Sequence, residues 1–183
     1  MHHLPNLICL LRLLLIWPIV VALQRGQHLA ALVLFVTAAL SDGLDGYLAK
    51  RFNWTSELGK YLDPLADKLL LVCVFVEGAW LELIPWWLTA AVVARDVMIG
   101  LGALIYRLWF GPLHGRPTLL SKVNTGAQLL YVALVMLAAA LGAAPRALLD
   151  AGALLVLAST VFSGVHYLLT FTRRAWSLPA RSA

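Results

Sequence analysis

Six long apolar stretches, separated by short polar connections, constrain the fold of this chain most. A helix that crosses a bilayer needs about 20 mostly apolar residues, and in hydrocarbon its backbone must satisfy its own hydrogen bonds. We therefore predict an all-α fold, an integral membrane bundle of six transmembrane helices in one domain over residues 1–183. The predicted helices run from Leu4 to Leu23, Leu29 to Leu48, Tyr61 to Trp80, Pro85 to Tyr106, Leu119 to Leu141 and Arg146 to Phe171.

The composition supports a membrane protein and argues against a nucleic-acid partner. Of the 183 residues, 62% are hydrophobic and only 13% are charged, whereas soluble domains have about 25% charged residues. The formal net charge is +5, but no solvated basic face is present that could bind nucleic acid. Basic loops on a membrane protein instead contact anionic lipid headgroups. We therefore expect membrane lipids, and no nucleic acid, as partners.

The loop charges predict the orientation, because cytoplasmic loops carry an excess of lysine and arginine. The opposite side has only Arg25 and Arg146. We predict that both termini and the connection between the second and third apolar stretches face the cytoplasm, and that the membrane is the bacterial cytoplasmic (inner) membrane. The basic residues on the predicted cytoplasmic side are Lys50, Arg51, Lys60, Arg107, Arg116, Lys122, Arg173, Arg174 and Arg181.

One stretch gathers acids between the second and third apolar stretches: "SDGLDGYLAKRFNWTSELGKYLDPLADK", from Ser41 to Lys68. Asp42 and Asp45 are three positions apart and Asp63 and Asp67 are four apart, so each pair shares one helix face. A short connection makes the two helices antiparallel neighbours. We therefore expect the four carboxylates to converge near the cytoplasmic surface.

Four converging carboxylates need positive charge between them, because like charges at close range oppose ionisation. Oxygen ligands without histidine or cysteine favour Mg²⁺, Mn²⁺ or Ca²⁺ over zinc, and two such ions would clamp a phosphoryl group. A single acid could instead interact with a helix terminus or pair with a nearby lysine or arginine. Four acids at these spacings favour the metal site.

The spacing of this stretch closely resembles the signature of the CDP-alcohol phosphotransferase (phosphatidyltransferase) family, D-x2-D-G-x2-A-R-x8–9-G-x3-D-x3-D. Seven of its eight fixed positions match, and the departure is a lysine where the family has arginine. The match reads Asp42-x2-Asp45-Gly46-x2-Ala49-Lys50-x8-Gly59-x3-Asp63-x3-Asp67.

This resemblance implies transfer of the phosphatidyl group of CDP-diacylglycerol to an alcohol, with release of CMP. It implies two divalent cations, Mg²⁺ or Mn²⁺. One is held by Asp42, Asp45 and Asp63, and the other by Asp42, Asp63 and Asp67. It also implies that Asp67 is the general base for the acceptor hydroxyl. Homodimers are common in the family, so a homodimer is expected.

The resemblance assigns the CDP-binding residues as well: Asp45, Gly46, Ala49, Lys50 and Gly59. Small residues allow a ligand to approach the backbone closely, although each could serve helix packing alone. Lys50 keeps the positive charge of the family arginine but lacks its bidentate fork.

The choice of acceptor depends on two further segments, "LIPWWLTAAVVARDVMIG" and "LLSKVNTGAQL". Both resemble the cardiolipin synthase branch of the family, which implies phosphatidylglycerol as acceptor. Glycerol 3-phosphate is the alternative, but the branch that uses it tends to have a lysine at the position of Asn124. Candidate acceptor-binding residues are Arg95, Asp96, Arg116, Lys122 and Asn124.

Other interpretations of these residues stay open at the sequence level. Arg95 and Asp96 could form an ion pair that only fixes packing, and Arg116 and Lys122 could be positive-inside anchors. A small transporter with a carboxylate site would normally carry its acids near the bilayer midplane. A structural membrane scaffold would give no reason for four converging acids.

Overall fold

The computed structural model is helical throughout its regular elements. It describes the backbone of residues 4–52, 59–110, 119–142 and 145–176, and the side chains of 10–41, 66, 68–104, 119–142 and 145–170. This part of the chain contains six helices, as the apolar stretches predicted. They are α1 (Leu4–Gln24), α2 (His28–Phe52), α3 (Gly59–Trp80), α4 (Trp86–Phe110), α5 (Leu119–Leu141) and α6 (Arg146–Trp176).

Three helices extend beyond their predicted ends: α2 reaches Phe52, α4 reaches Phe110 and α6 reaches Trp176. The apolar pattern marks only the part of a helix that suits hydrocarbon. A helix continues past it because its backbone hydrogen bonds are internal and do not depend on the surrounding solvent. The extension of α2 keeps Asp42, Asp45 and Lys50 within one continuous helix.

Three described segments are long and apolar enough to cross a membrane: Trp86–Leu104, Leu119–Leu141 and Arg146–Thr170. Leu10–Gln24 and His28–Ser41 are apolar but shorter. The structure therefore supports membrane spans in α4, α5 and α6. The six-span arrangement and the cytoplasmic position of the termini stay predictions.

Two tight turns make consecutive helices antiparallel. After α1, Gly26 has φ 69°, and the backbone N–H of Gln27 bonds to the carbonyl of Ala22 at 2.9 Å. After α3, Glu82 has φ 58°, and Leu83 N–H bonds to the carbonyl of Gly78 at 2.8 Å. Both are Schellman ends, in which a left-handed residue reverses the chain.

These turns fix which helix ends lie together. α1 packs against α2 and α3, α2 against α5, and α6 against α4 and α5. The end of α2 and the start of α3 therefore lie at the same end of the bundle as the starts of α1 and α5. We call this the motif end. Toward the opposite end, packing is mainly apolar, with the rings of Phe75 and Tyr131 stacked at a centroid distance of 6.5 Å.

The turn after α3 gives a prediction about stability. Glu82 occupies a left-handed position that usually holds glycine, so Glu82→Gly should raise the free energy of unfolding by about 1 kcal/mol. Thermal unfolding in detergent measures the change. Glu82→Ala is the control, because it removes the same charge but keeps Cβ. Equal melting temperatures for the two variants would contradict the assignment to backbone strain.

Candidate functional site

The acidic motif occupies the last part of α2 and the first part of α3. Asp42 and Asp45 lie on α2, and Asp63 and Asp67 lie on α3. Their side chains are outside the described residues, so the convergence of four carboxylates stays a prediction. The same holds for the CDP-binding candidates Gly46, Ala49, Lys50 and Gly59, and Arg116 lies outside the described backbone as well.

The helix faces that lead into the motif are buried. Ala38, four positions before Asp42, is fully buried, as is Ala66, which precedes Asp67. Leu70 and Leu71, three and four positions after Asp67, are also buried. Residues three or four apart share a helix face. The faces of α2 and α3 on which Asp42 and Asp67 lie therefore continue the buried interior of the bundle.

Next to the motif, a buried aspartate carboxylate forms ion pairs with two basic side chains. Lys68, which follows Asp67 on α3, donates a hydrogen bond from Nζ to Oδ1 of Asp96 on α4. Arg95 donates to the same oxygen from Nη1 at 2.6 Å. The side chains of Arg95 and Asp96 are only 4% and 5% exposed, whereas that of Lys68 is 37% exposed. Asp96 thus connects α3 to α4 directly beside the motif.

Arg95 extends this connection to the last two helices. Its Nη2 donates to Ser121 Oγ on α5 at 2.9 Å and to Ser163 Oγ on α6 at 2.6 Å. A guanidinium has five N–H donors in a fixed fork, so one side chain can bind several elements at once. We call Lys68, Asp96, Arg95, Ser121 and Ser163 the charged network. It joins α3, α4, α5 and α6.

Two buried atoms of the charged network have no hydrogen-bond partner among the described residues: Asp96 Oδ2 and Arg95 Nε. A buried carboxylate oxygen without a partner is costly, because it has lost its water. These atoms offer one hydrogen-bond acceptor and one donor beside α3, next to the motif. They could therefore bind a hydroxyl group of a ligand or an ordered water.

Asn124 belongs to a second, neighbouring cluster between α5 and α6. It is fully buried, and its Oδ1 accepts hydrogen bonds from Ser159 Oγ at 2.8 Å and Thr160 Oγ1 at 3.0 Å. Its Nδ2 and both amide atoms of Gln128, one turn deeper, are buried without partners among the described side chains. α5 therefore presents a polar row to the interior.

The five acceptor candidates do not form a single described cluster. The structure brings Arg95 and Asp96 together with Lys68, and it places Asn124 with Ser159 and Thr160. Lys122 is exposed.

Sequence reasoning missed Arg12 on α1. It is 2% exposed and lines a cavity of about 50 Å³ together with Ala38 and Ala39 of α2, Leu70 and Leu71 of α3, and Thr125 and Leu129 of α5. The available signal was an ionisable residue inside an apolar stretch, which marks a functional site by default.

The chemistry of the motif fits a hard divalent cation. The described side chains contain no group of three histidine, cysteine, aspartate or glutamate residues that could hold a metal ion. The motif supplies four carboxylates, on two helix segments at the same end of the bundle. Oxygen-only donors of this kind suit Mg²⁺ and Mn²⁺.

Comparison with known proteins gives a family match over most of the chain. A family model described as CDP-alcohol phosphatidyltransferase matches residues 2–170. A probable cardiolipin synthase (CMP-forming) from Drosophila melanogaster is 34% identical over 146 residues, which cover 71% of this chain and 45% of that protein. The cardiolipin synthase (CMP-forming) of Rattus norvegicus is 35% identical over 146 residues, 70% of this chain and 48% of that protein.

This chain is also similar to a protein whose name gives glycerol 3-phosphate as the acceptor. The CDP-diacylglycerol–glycerol-3-phosphate 3-phosphatidyltransferase of Bacillus subtilis (strain 168) is 30% identical over 161 residues. These cover 75% of this chain and 78% of that protein. By contrast, this chain spans about half the length of the Drosophila and rat proteins.

The charged network predicts a large loss of stability when its arginine is removed. Arg95→Met leaves the buried Asp96 carboxylate with fewer donors, so the free energy of unfolding should fall by about 3–5 kcal/mol. Ser163→Ala removes one bond to a charged group and should cost about 1.5–3 kcal/mol. Denaturant unfolding in detergent measures both.

The exposed Lys122 provides the matched control for this experiment. Lys122→Met also removes a positive charge, but Lys122 is exposed and lies outside the network. This variant should change the free energy of unfolding by no more than about 0.5 kcal/mol. If Arg95→Met cost no more than Lys122→Met, the charged network would not stabilise the bundle.

Proposed function

Because this chain belongs to the CDP-alcohol phosphatidyltransferase family, we propose that it transfers the phosphatidyl group of CDP-diacylglycerol to phosphatidylglycerol, giving cardiolipin and CMP. The observation that carries the proposal is the motif of four aspartates, and the position of the end of α2 and the start of α3 at one end of the bundle supports it. A single domain over residues 1–183 carries out this reaction.

The proposed reaction is a direct displacement. Asp67 accepts the proton of the acceptor hydroxyl while the hydroxyl oxygen forms a bond to the phosphorus that carries diacylglycerol. The bond from this phosphorus to the CMP oxygen breaks, and CMP leaves with the electron pair. The motif contains no serine, cysteine or histidine between Asp42 and Asp67 except Ser56, which lies outside the signature positions, and this supports displacement without a covalent intermediate.

The four aspartates hold the divalent cations in this proposal. Asp42, Asp45 and Asp63 would hold one ion, and Asp42, Asp63 and Asp67 would hold a second. When bound there, Mg²⁺ or Mn²⁺ would supply positive charge toward the attacked phosphoryl group and the departing CMP. Asp45 also borders the nucleotide.

The remaining signature positions complete the nucleotide site. Gly46, Ala49 and Gly59 leave room for CDP, because a residue with a small side chain, or none, lets a ligand approach the backbone. Lys50 contributes a positive charge toward the pyrophosphate.

Two features support phosphatidylglycerol as the acceptor. Asn124 is neutral and buried, and its oxygen is held by Ser159 and Thr160. Nη1 of Arg95 donates to Asp96, and Nη2 donates to Ser121 and Ser163. Neither residue therefore supplies a new cation for the doubly charged phosphate of glycerol 3-phosphate. Asp96 Oδ2 is instead suited to accept a hydrogen bond from a glycerol hydroxyl.

Glycerol 3-phosphate is the second candidate acceptor, and phosphatidylglycerophosphate would then be the product. The Bacillus subtilis relative favours it, because the alignment covers 78% of that protein. Lys122 and Arg116 would supply the positive charge that this acceptor requires.

The proposed function needs an active site that meets both water and lipid. We propose that the motif end faces the cytoplasm of a bacterial cell, so that CDP reaches the site from water while the diacylglycerol tails stay in the cytoplasmic membrane. With six spanning helices, this orientation places both termini in the cytoplasm. Family resemblance also predicts a homodimer.

The acceptor is tested with purified protein, CDP-diacylglycerol and either Mg²⁺ or Mn²⁺. Phosphatidylglycerol should give cardiolipin and CMP, and glycerol 3-phosphate should give little product. Lipid products are separated by mass spectrometry and CMP is quantified in parallel. Product with glycerol 3-phosphate alone would overturn the proposed acceptor but leave the family reaction intact.

The role of Asp67 is tested by Asp67→Asn, which keeps the size of the side chain but cannot accept the proton. CMP release should fall by at least about 100-fold, since general-base catalysis contributes roughly 10²–10⁴-fold. Asp150→Asn is the control, because Asp150 is exposed near the start of α6, away from the motif end. Undiminished CMP release in Asp67→Asn would contradict the assignment.

A further inference from the structure

Arg12 is a buried cation inside an apolar helix. Its side chain is among the largest that are fully enclosed in the bundle, with 2% exposure. An arginine within a membrane segment faces the interior and pairs with an acid or with backbone carbonyls, because an uncompensated charge there is costly. Because the backbone carbonyls within a helix are already bonded to its own N–H groups, the location of Arg12 favours an acidic side chain as its partner.

The direction of the side chain follows from helix geometry. In an α-helix, each Cα–Cβ bond tilts toward the N-terminus of the helix, and α1 begins at the motif end. The cavity beside Arg12 is also lined by Ala38 and Leu71. Each lies four positions, or about 6 Å along the helix axis, from Asp42 and Asp67 respectively. An extended arginine side chain covers such a distance.

Four acids outside the motif are too far from Arg12 or already paired, so they are not its partners. Glu77, Glu82 and Asp150 lie at the opposite end of the bundle, late on α3, in the following turn and early on α6. Asp96 lies on α4 and already binds Lys68 and Arg95. Of the nine acids in the sequence, the four of the motif and Glu57 are left. Among these, Asp42 and Asp67 share a helix face with the cavity-lining residues Ala38 and Leu71.

We propose that Arg12 is a permanent counter-cation for the motif. It holds the carboxylates of Asp42 and Asp67 from the membrane side and stabilises the site when no divalent cation is bound. This inference rests on the proposed function for the identity of the metal site. Arg12 acts as a positioning residue, because it orients the carboxylates that bind the metal.

A coupling between Arg12 and the metal follows. Both are positive charges that interact with the same carboxylates, so each should weaken the binding of the other, and this coupling is reciprocal. Without Arg12, the carboxylates repel one another more strongly in the metal-free protein. Binding of a divalent cation then relieves more repulsion than it does in the wild type.

The test measures thermal unfolding of the detergent-solubilised full chain in EDTA and in Mn²⁺. Arg12→Met should melt several degrees below the wild type in EDTA, and Mn²⁺ should raise its melting temperature by more than it raises that of the wild type. The dissociation constant for Mn²⁺, measured by electron paramagnetic resonance without lipid substrate, should decrease about tenfold. Arg12→Lys should resemble the wild type.

Thr125→Val is the matched control, because Thr125 lines the same cavity but carries no charge. Its Mn²⁺-induced rise in melting temperature should equal that of the wild type. A purely structural role of Arg12 would lower the melting temperature of Arg12→Met equally in EDTA and Mn²⁺, and this result would overturn the proposal.

A second variant covers the case in which Arg12→Met does not fold. Asp42→Asn removes one of the repelling carboxylates, so the double variant Arg12→Met/Asp42→Asn should recover stability in EDTA. No recovery would overturn the pairing of Arg12 with the motif. If the wild type shows neither a Mn²⁺ shift nor CMP release, the proposed function fails. A smaller loss of stability from Arg12→Met in the Asp42→Asn background than in the wild type would still establish the pairing.

Discussion

The buried carboxylate of Asp96 forms ion pairs with two basic side chains, one on α3 and one on α4. The relative position of four helices depends on this interaction. Lys68 and Arg95 share its Oδ1, and Arg95 reaches Ser121 and Ser163 on the last two helices. Apolar packing is nondirectional and offers little preference for one rotation of a helix over another in hydrocarbon. Hydrogen bonds from a rigid guanidinium are directional, so they fix how α4, α5 and α6 face α3.

The motif helix α3 therefore lies between two buried arginines. Arg95 lies where α3 faces α4, α5 and α6, and Arg12 lies where α3 faces α1. Apart from the acidic motif itself, this arrangement places positive charge around a segment that we propose binds metal and phosphate. The free Oδ2 of Asp96 adds one acceptor on the side that we assign to the acceptor alcohol.

Apolar stretches predicted the six helices well, because the length of an apolar run and the need for internal backbone hydrogen bonds act locally along the chain. They predicted the ends of α2, α4 and α6 less well, since a helix can continue beyond the apolar run. The role of Arg12 was missed for a different reason. Its single charge within an apolar stretch has no sequence neighbour that identifies its partner, and the residues around it come from α2, α3 and α5.

The sequence by itself determined the helical class, the family and the spacing of four aspartates, since each depends on residues close together along the chain or on a fixed pattern. Only the tertiary structure decided that Arg95 and Asp96 bind Lys68 and two serines, that Asn124 is held by Ser159 and Thr160, and that Arg12 is enclosed. These contacts join residues on different helices. Their partners depend on helix rotation and packing, which one-dimensional periodicity does not specify.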